Sequence, residues 1–271
     1  MPASFVRSSG LAIAAVLWIP ALGSGQEPAP RPAAVTGYLS PARMPDVLKI
    51  VPAAPAVDDS RFTADMAIYR ATRALEGSPR WELAQSDDEV TTAGLFKAFR
   101  CALGVAVTPQ NAPLVTTLVR RANTDASRAS NVLKQYYQHK RPYQIADGPV
   151  CVTPQTKDAL SRNPDYPSGH TTASWEAGLV LAEVAPERAT AILTRARAFG
   201  QSRVVCGVHN MSAVQAGWMT ASIVFAAQHG SDEFVEAVKA ARAEFASLSQ
   251  TSPVEPGMCA SETALLAKDP F

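Results

Sequence analysis

From residue 61 onward the apolar positions of the chain recur every three or four residues, the spacing of amphipathic helices. In the stretch RFTADMAIYRATRAL, Phe62, Met66 and Tyr69 fall on one face, and Gly77-Ser78-Pro79 is a stop signal after it. Convincing strand-like alternation is absent from the sequence. The pattern predicts further helices over 86–104, 111–140, 170–184, 187–205, 210–228 and 231–249. We therefore expect an all-α fold, a single-domain helical bundle.

The two ends of the chain depart from this helical pattern. Residues 1–25 combine a positive charge at Arg7, a short apolar core and small residues near the end, which are the features of a secretory signal peptide. The apolar core is too short to span a membrane. Residues 26–60 are rich in Pro and Ala and predict an extended arm, partly ordered where Tyr38, Leu39 and Leu48 can dock. The expected organisation is a signal peptide (1–25), an N-terminal arm (26–60), a helical domain (61–250) and a C-terminal tail (251–271).

Composition narrows the class of protein. Removal of the leader leaves roughly 245 residues, enough for one domain with a substantial core. The formal net charge is +1, so nothing indicates general affinity for nucleic acid. No later segment is apolar enough to span a membrane, and an exported chain belongs in the periplasm or outside the cell.

The four cysteines indicate two disulfides in an exported protein, and four cysteines allow three pairings. Cys101, Cys151, Cys206 and Cys259 include no CxxC pair of the kind that binds zinc or acts in redox chemistry. Because Cys151 and Cys206 each lie close to a motif described below, their pairing is favoured.

The first motif is LKQYYQHKRPY. Lys134 and Arg141 are seven positions apart, about two helical turns, so both project from nearly the same face. Pro142 disfavours helical geometry at Arg141 and places that residue at or near the helix end. Arginine suits bidentate binding of an oxyanion, whereas lysine acts as a point charge. The alternative is an exposed basic face, which Lys140 also fits.

The second motif is PSGH, directly before a predicted helix. Ser168 can cap the helix, and Gly169 allows a ligand to approach the backbone closely. The first amides of the helix then point outward with the positive end of its dipole, beside His170. The segment predicts an anion site, and the alternative is an ordinary cap with a surface histidine.

The third motif is SRVVCGVHNMSAV, which carries Arg203 and His209. Gly207 is a natural helix terminator, and a break there lets both side chains turn toward one point. Asn210 or Ser212 can begin the next helix. The alternative is a buried or surface histidine in a connection between helices.

Together the three motifs assemble the groups that transfer of a tetrahedral oxyanion needs. Cations and helix amides stabilise charge on the oxygens, one imidazole attacks, and the other protonates the leaving group. This chemistry requires neither a metal ion nor a cofactor.

K-x6-RP, PSGH and SR-x5-H together resemble the signature of the type 2 phosphatidic acid phosphatase (PAP2) superfamily, which includes bacterial non-specific acid phosphatases and vanadium haloperoxidases. Over roughly 61–246 the chain is similar to the secreted class A acid phosphatases. The resemblance implies a metal-free hydrolase of small phosphate monoesters that works through a phosphohistidine. A homo-oligomer is compatible with the resemblance. It implies that phosphate is held by Lys134, Arg141, Ser168, Gly169 and Arg203, that His209 is phosphorylated, and that His170 is the general acid and then the base.

One position departs from the signature. The pattern continues H-x3-D, and Ala213 occupies the place of that Asp. In serine proteases, Asn in place of the Asp that orients the catalytic histidine lowers kcat about 10⁴-fold. Ser212, Gln215 or a backbone carbonyl could replace the carboxylate here. Because the other motif positions are present, we favour an active phosphatase; a phosphate-binding pseudoenzyme and a vanadate-dependent haloperoxidase are the alternatives.

Overall fold

The structure, a computed structural model, describes residues 1–5, 35–249, 253–254 and 256–271. The predicted signal peptide lies outside these residues except for its first five, as does the first part of the predicted arm. The α-helices are α1 (Val47–Ile50), α2 (Ser60–Thr72), α3 (Pro79–Ser86), α4 (Thr92–Leu103), α5 (Pro113–Tyr137), α6 (Pro154–Ser161), α7 (Gly169–Val184), α8 (Ala189–Val205), α9 (Met211–Gln228), α10 (Asp232–Ser249) and α11 (Ala260–Leu266). Short 3₁₀ turns cover Pro41–Arg43, Arg73–Leu75, Pro142–Gln144, Pro186–Arg188 and Pro256–Cys259.

Helix α7 is the central element, and the all-α prediction is confirmed. It contacts α5, α8, α9 and α10, and its side chains are buried around most of its circumference. Gly178 allows the close approach of α8, because a Cβ there would lie 2.6 Å from the Cβ of Ala196. Within the described residues the extended pairing is a single isolated bridge between Val105 and Pro253. No described helix combines the length and the apolar character needed to cross a membrane.

The predicted helix over 86–104 is wrong at its start. Helix α3 ends at Ser86, and α4 begins only after Thr91, whose side chain accepts a hydrogen bond from the Gly94 amide at 3.1 Å. A threonine in this position satisfies one of the free amides of the first turn and fixes where the helix begins. Residues 87–91 therefore form a loop, which buries Asp87 and leaves Asp88 partly exposed.

The predicted helix over 111–140 ends earlier than expected. Gln138 has a φ of 47°, in the left-handed region, and its amide donates to the Lys134 carbonyl at 3.1 Å. This is a C-terminal cap, so α5 stops at Tyr137. Arg141 consequently lies in the following loop rather than on the helical face of Lys134. The two side chains converge through the turn of the chain and not through a two-turn helical spacing.

The described part of the predicted arm packs against the helices. Tyr38 and Leu39 are buried, and their amides donate to the Asp125 carboxylate on α5 at 2.7 and 3.1 Å. Val47 and Val51, at the ends of α1, are buried in the same region of the core. Tyr38 and Leu39 thus dock on the helical core, as the sequence predicted.

Two disulfides join distant parts of the described chain. Cys151 pairs with Cys206, as favoured from the sequence, and Cys101 pairs with Cys259, which holds the C-terminal segment against α4. The first bridge lies directly before Gly207, and the Cys151 amide donates to the Cys206 carbonyl at 3.0 Å. A native disulfide contributes about 2–4 kcal/mol to stability. The Cys151–Cys206 bridge also fixes the end of α8, from which the third motif continues.

Candidate active site

The structure brings the residues of the three motifs to one place, at the N-terminus of α7. Arg141 and Arg203 are almost fully buried, and Lys134 is 7% exposed. Burying cations this close together is costly unless anions or hydrogen-bond acceptors compensate their charge. The clustered positive charges can therefore be compensated by a bound anion.

The loop after α8 aims His209 inward. Arg73 donates to the Val205 carbonyl at 2.7 Å and so satisfies the end of the helix. Gly207 then adopts a φ of 77°, which a residue with a side chain rarely does, and the chain reverses. The His209 amide returns to the Arg203 carbonyl at 3.2 Å. The break at Gly207 that the sequence predicted is present.

Both ring nitrogens of His209 have a defined partner. Nδ1 lies 2.7 Å from Oδ1 of Asp165, and Nε2 lies 3.1 Å from Nη1 of Arg141. An ionised carboxylate only accepts and a guanidinium only donates, so Nδ1 carries the hydrogen and Nε2 keeps its lone pair. Burial lowers the pKa of His209 and the charge of Arg141 lowers it further, with partial opposition from Asp165, to about 3. The imidazole is therefore neutral, and Nε2 keeps a lone pair that accepts from Arg141 here and can act as a nucleophile.

Asp165 is held as a charged acceptor. It is fully buried, and it accepts from His139 Nδ1 at 3.3 Å and from Asn210 Nδ2 at 2.9 Å as well as from His209. Burial alone would raise the pKa of this carboxyl. The hydrogen bonds from His139 and His209 and the charge of Arg141 outweigh burial and hold the pKa well below its usual range.

The sequence analysis did not identify Asp165, and its candidates for this role are wrong. The Ser212 amide and hydroxyl both donate to Asp65, the amide at 2.8 Å, and Gln215 is exposed to solvent. Asp165 stands five positions before His170, inside the NPDYPSGH segment that carries the second motif. Its proximity to that motif was the one available signal.

The start of α7 supplies fewer amides to a ligand than the sequence indicated. The Ser168 amide donates to the Ala213 carbonyl at 2.9 Å, and the Ser168 hydroxyl oxygen accepts from Thr171, as the predicted cap requires. The amides of Gly169 and His170 have no hydrogen-bond partner among the described residues. A Cβ on Gly169 would meet only Lys134 Cε, at 3.7 Å, so the backbone here is open to a ligand. These two amides, unlike that of Ser168, remain available to an anion at the helix N-terminus.

Arg203 is held by the α3–α4 loop. Its Nη1 donates to the Asp87 carbonyl at 3.3 Å, and its Nη2 donates to Asp88 Oδ1 at 2.9 Å. The Nε of Arg203 is buried and has no partner among the described residues. A buried donor without an acceptor costs about 1–3 kcal/mol, and an oxyanion oxygen would remove that cost.

Lys134 and Arg141 are fixed by backbone carbonyls. Lys134 Nζ donates to the Pro164 carbonyl, and Arg141 donates to the carbonyl of Val208 at 2.7 Å and to that of Leu160 at 2.8 Å. Burial lowers the pKa of Lys134, and the charge of Arg141 lowers it further, to about 7. The lysine therefore loses its charge near neutral pH unless an anion stabilises it.

His170 lines the pocket beside the cluster, next to Gly169 and Lys134. Its Nε2 is 3.0 Å from the Asp88 carbonyl. Burial lowers the pKa of His170 well below its usual range, and the charges of Arg203 and Arg141 lower it further. This shift favours the neutral ring, so proton donation by His170 requires acid medium or a nearby group that favours the protonated ring.

An open pocket of about 560 Å³ leads to the cluster. Lys134, Gly169 and His170 line this pocket together with a polar face of α5 that includes Arg120 and Asn123. Among the residues described, no group of three or more His, Cys, Asp or Glu side chains could hold a metal ion. The arrangement can bind a tetrahedral oxyanion at the cluster and place its substituent in the pocket.

Comparisons with known proteins agree with the geometry. The family model of the PAP2 superfamily matches residues 114–230, a range that contains all three motifs. The chain is 36% identical to a non-specific acid phosphatase of Providencia stuartii over 215 residues, which cover 78% of this chain and 85% of that protein. It is 40% identical over 184 residues to an acid phosphatase of Zymomonas mobilis subsp. mobilis, covering 66% of this chain and 68% of that protein. A non-specific acid phosphatase of Salmonella typhimurium is 34% identical over 177 residues, with coverage of 65% and 70%.

Proposed function

The chain belongs to the PAP2 superfamily, as a phosphoric monoester hydrolase of the class A acid phosphatase type, and from this premise we propose that it acts through a phosphohistidine formed on His209 without a metal ion. The observation that carries the proposal is the pair of contacts of His209, with Nδ1 2.7 Å from Asp165 and Nε2 3.1 Å from Arg141, which assigns the ring hydrogen to Nδ1. Small phosphate monoesters are the proposed substrates.

Phosphate binding is assigned to groups that have spare donors. Arg203 Nε and the amides of Gly169 and His170 lack partners within the described chain, and Lys134 and Arg141 add positive charge. The Ser168 hydroxyl hydrogen is a further donor at the same helix start. Preorganised donors of this kind stabilise the charge that develops on the phosphoryl oxygens during transfer.

In the first step, the lone pair of His209 Nε2 attacks phosphorus and the P–O bond of the ester breaks. The electron pair of that bond goes to the leaving oxygen, which takes a proton from His170. The His209 ring becomes positively charged as the P–N bond forms, and Asp165 stabilises it through the Nδ1 hydrogen.

In the second step, the now neutral His170 takes a proton from a water molecule as its oxygen attacks phosphorus. The P–N bond breaks, its electron pair returns to Nε2, and phosphate leaves. His209 and His170 regain their starting protonation states, so the cycle closes.

The contact with Asp165 supports an active enzyme over the phosphate-binding pseudoenzyme that Ala213 made conceivable. Asp165 supplies the carboxylate that contacts His209 Nδ1, although the signature position, Ala213, has none. The similarity to acid phosphatases across most of the chain supports phosphate transfer over vanadate-dependent halide oxidation. The two disulfides support work in an oxidising compartment, the periplasm or the cell exterior.

Anion binding without metal is the direct test of the binding site. Phosphate should stabilise the protein in the presence of EDTA, and the melting temperature should rise. At a phosphate concentration 100 times Kd, the added free energy of unfolding is about 2.7 kcal/mol. Arg203→Ala should weaken phosphate binding at least about tenfold, because a charged hydrogen-bond donor is lost. Arg197→Ala, at an exposed position of the same helix, is the matched control and should bind normally. Loss of the shift in EDTA, or an unchanged shift in Arg203→Ala, would contradict the assignment.

Binding should also depend on the charge of Lys134. Since the pKa of Lys134 in the free protein is about 7, anion affinity should fall as pH rises through that value. Sulfate is the suitable probe because its own charge is constant over this range. Lys134→Met should weaken sulfate binding and remove the pH dependence, whereas Lys140→Met, at an exposed position, should retain it. Persistence of the same pH dependence in Lys134→Met would show that another group causes it.

A further inference from the structure

The α3–α4 loop places an acidic residue against His170. The Asp88 carbonyl lies 3.0 Å from His170 Nε2, and Asp88 Oδ1 lies 3.6 Å from the same nitrogen. The same carboxylate oxygen accepts from Arg203 Nη2 at 2.9 Å. Asp88 thus contacts both the proposed general acid and an arginine of the anion site, although it belongs to none of the three motifs.

The contact with the Asp88 carbonyl fixes the tautomer of His170. A carbonyl oxygen only accepts, so Nε2 keeps its hydrogen whether the ring is neutral or charged. The proton that is gained and lost therefore belongs to Nδ1, which has no partner among the described residues. This is the reverse of His209, where Nδ1 keeps the hydrogen and Nε2 reacts.

The charges that face His170 are mostly positive. Arg203 on α8 and Arg141 after α5 lower its pKa, His209 after α8 adds to this effect only when it is protonated, and Lys134 on α5 lines the same pocket. The carboxylate of Asp88 is the acidic group within 4 Å of the ring in the described part of the chain. Its negative charge favours the protonated ring over the neutral one.

The loop holds Asp88 in place through its neighbours. Asp87 is fully buried and accepts from Arg195 Nη1 at 3.1 Å and from the Ser202 hydroxyl at 2.7 Å. On the other side of Asp88, Thr91 caps α4. Because both flanks of the loop are fixed, Asp88 has a defined position beside the ring.

From this geometry we propose that Asp88 is the positioning residue of the general acid: its carbonyl directs Nδ1 of His170 to the leaving group, and its carboxylate retains the proton on that ring. The proposal rests on the proposed function, in which His170 donates a proton to the leaving oxygen as the P–O bond breaks. Asp88 would not touch the reacting atoms. It would act through His170 and set which phosphate monoesters the enzyme can cleave.

The consequence concerns the leaving group. An aryl phosphate releases a stable phenolate and needs little help from an acid, whereas an alkyl phosphate must leave as a protonated alcohol. Weakening the acid should therefore slow alkyl substrates more than aryl substrates. It should also change the pH dependence, because the rate falls as pH rises through the pKa of the acid. Removing the Asp88 charge lowers that pKa and should move the fall to lower pH.

Asp88→Asn tests the proposal, because the amide oxygen can still accept from Arg203 while the charge is lost. For a series of alkyl and aryl phosphates, kcat/KM should decrease about ten- to a hundredfold for alkyl substrates and less than about threefold for p-nitrophenyl phosphate. The fall of kcat/KM with increasing pH should begin at lower pH. Glu89→Gln, an exposed neighbour in the same loop, is the matched control and should change neither.

Two results would overturn the proposal. An equal decrease for all substrates would show that Asp88 acts only through the structure of the loop or through Arg203. Tighter phosphate binding with an unchanged dependence on the leaving group would show that Asp88 only competes with the anion. In Asp88→Asn, the phosphoryl group of p-nitrophenyl phosphate should still be transferred to His209. If the wild-type protein transfers no phosphoryl group to His209, the proposed function itself is wrong.

Discussion

His209→Ala should lose at least about 10⁴-fold in kcat for phosphate monoesters, because no other group can replace the attacking nitrogen. Binding should survive, since the cations and helix amides around the phosphate remain. The expected result is therefore a protein without turnover whose melting temperature still rises with phosphate. Steady-state kinetics and thermal unfolding on the same preparation measure both quantities.

His229→Gln is the control for this experiment. His229 is a partly exposed histidine at the end of α9 that bonds to Glu183, and its replacement should leave kcat unchanged. If His209→Ala keeps turnover within tenfold of wild type, His209 is not the nucleophile. If His209→Ala also fails to bind phosphate, the variant has lost the site and not only the reaction.

Asp165→Asn should lower kcat about 10²- to 10⁴-fold while leaving phosphate binding within a few-fold. The amide has nearly the shape of the carboxylate, but its NH₂ group can donate to Nδ1 of His209. That contact would place the ring hydrogen on Nε2 and remove the lone pair that attacks. It would also remove the charge that stabilises the positive ring of the intermediate. The comparison of kcat with the phosphate-induced thermal shift separates this effect from loss of the site.

Asp65→Asn is the matched control, because Asp65 is also buried and accepts hydrogen bonds at the start of α9 without touching His209. It should lower stability but change kcat far less than Asp165→Asn.

Position 213 offers a further check, one helical turn from His209. The double variant Asp165→Asn, Ala213→Asp should have a kcat at least about tenfold higher than Asp165→Asn alone. Ala213→Asp alone should not raise kcat, because two buried carboxylates would repel each other. Wild-type kcat in Asp165→Asn would contradict the account.

The long helices and the convergence of the three motifs could be predicted from the sequence. Helices such as α7 and α9 carry long apolar patterns, and Gly207 marks the break before His209. The short helices α3 and α6 were not predicted, because neither is long enough to show an apolar repeat. Ser78 caps α3 and Thr153 caps α6, each before a proline, and neither helix has a long apolar repeat.

The orienting carboxylate could not be predicted because its contact is between distant parts of the chain. Asp165 and His209 are separated by 44 positions and meet through the packing of the loop before α7 against the loop after α8. The motif spacing pointed instead to position 213, where Ala213 is buried in an apolar cluster with Tyr166. Asp88 was missed for a similar reason, since the apolar pattern placed it inside a helix that does not begin until Thr92.

Direct detection of a phosphorylated histidine tests whether His209 is the nucleophile. Wild-type protein is mixed with a ³²P-labelled phosphate monoester, quenched in alkali and detergent on the millisecond scale, and digested for peptide mapping. The account predicts label on the peptide that contains His209, stable in base and lost in acid, with none in His209→Ala. Turnover by the wild type with no label on His209, or with label on another residue, would contradict it.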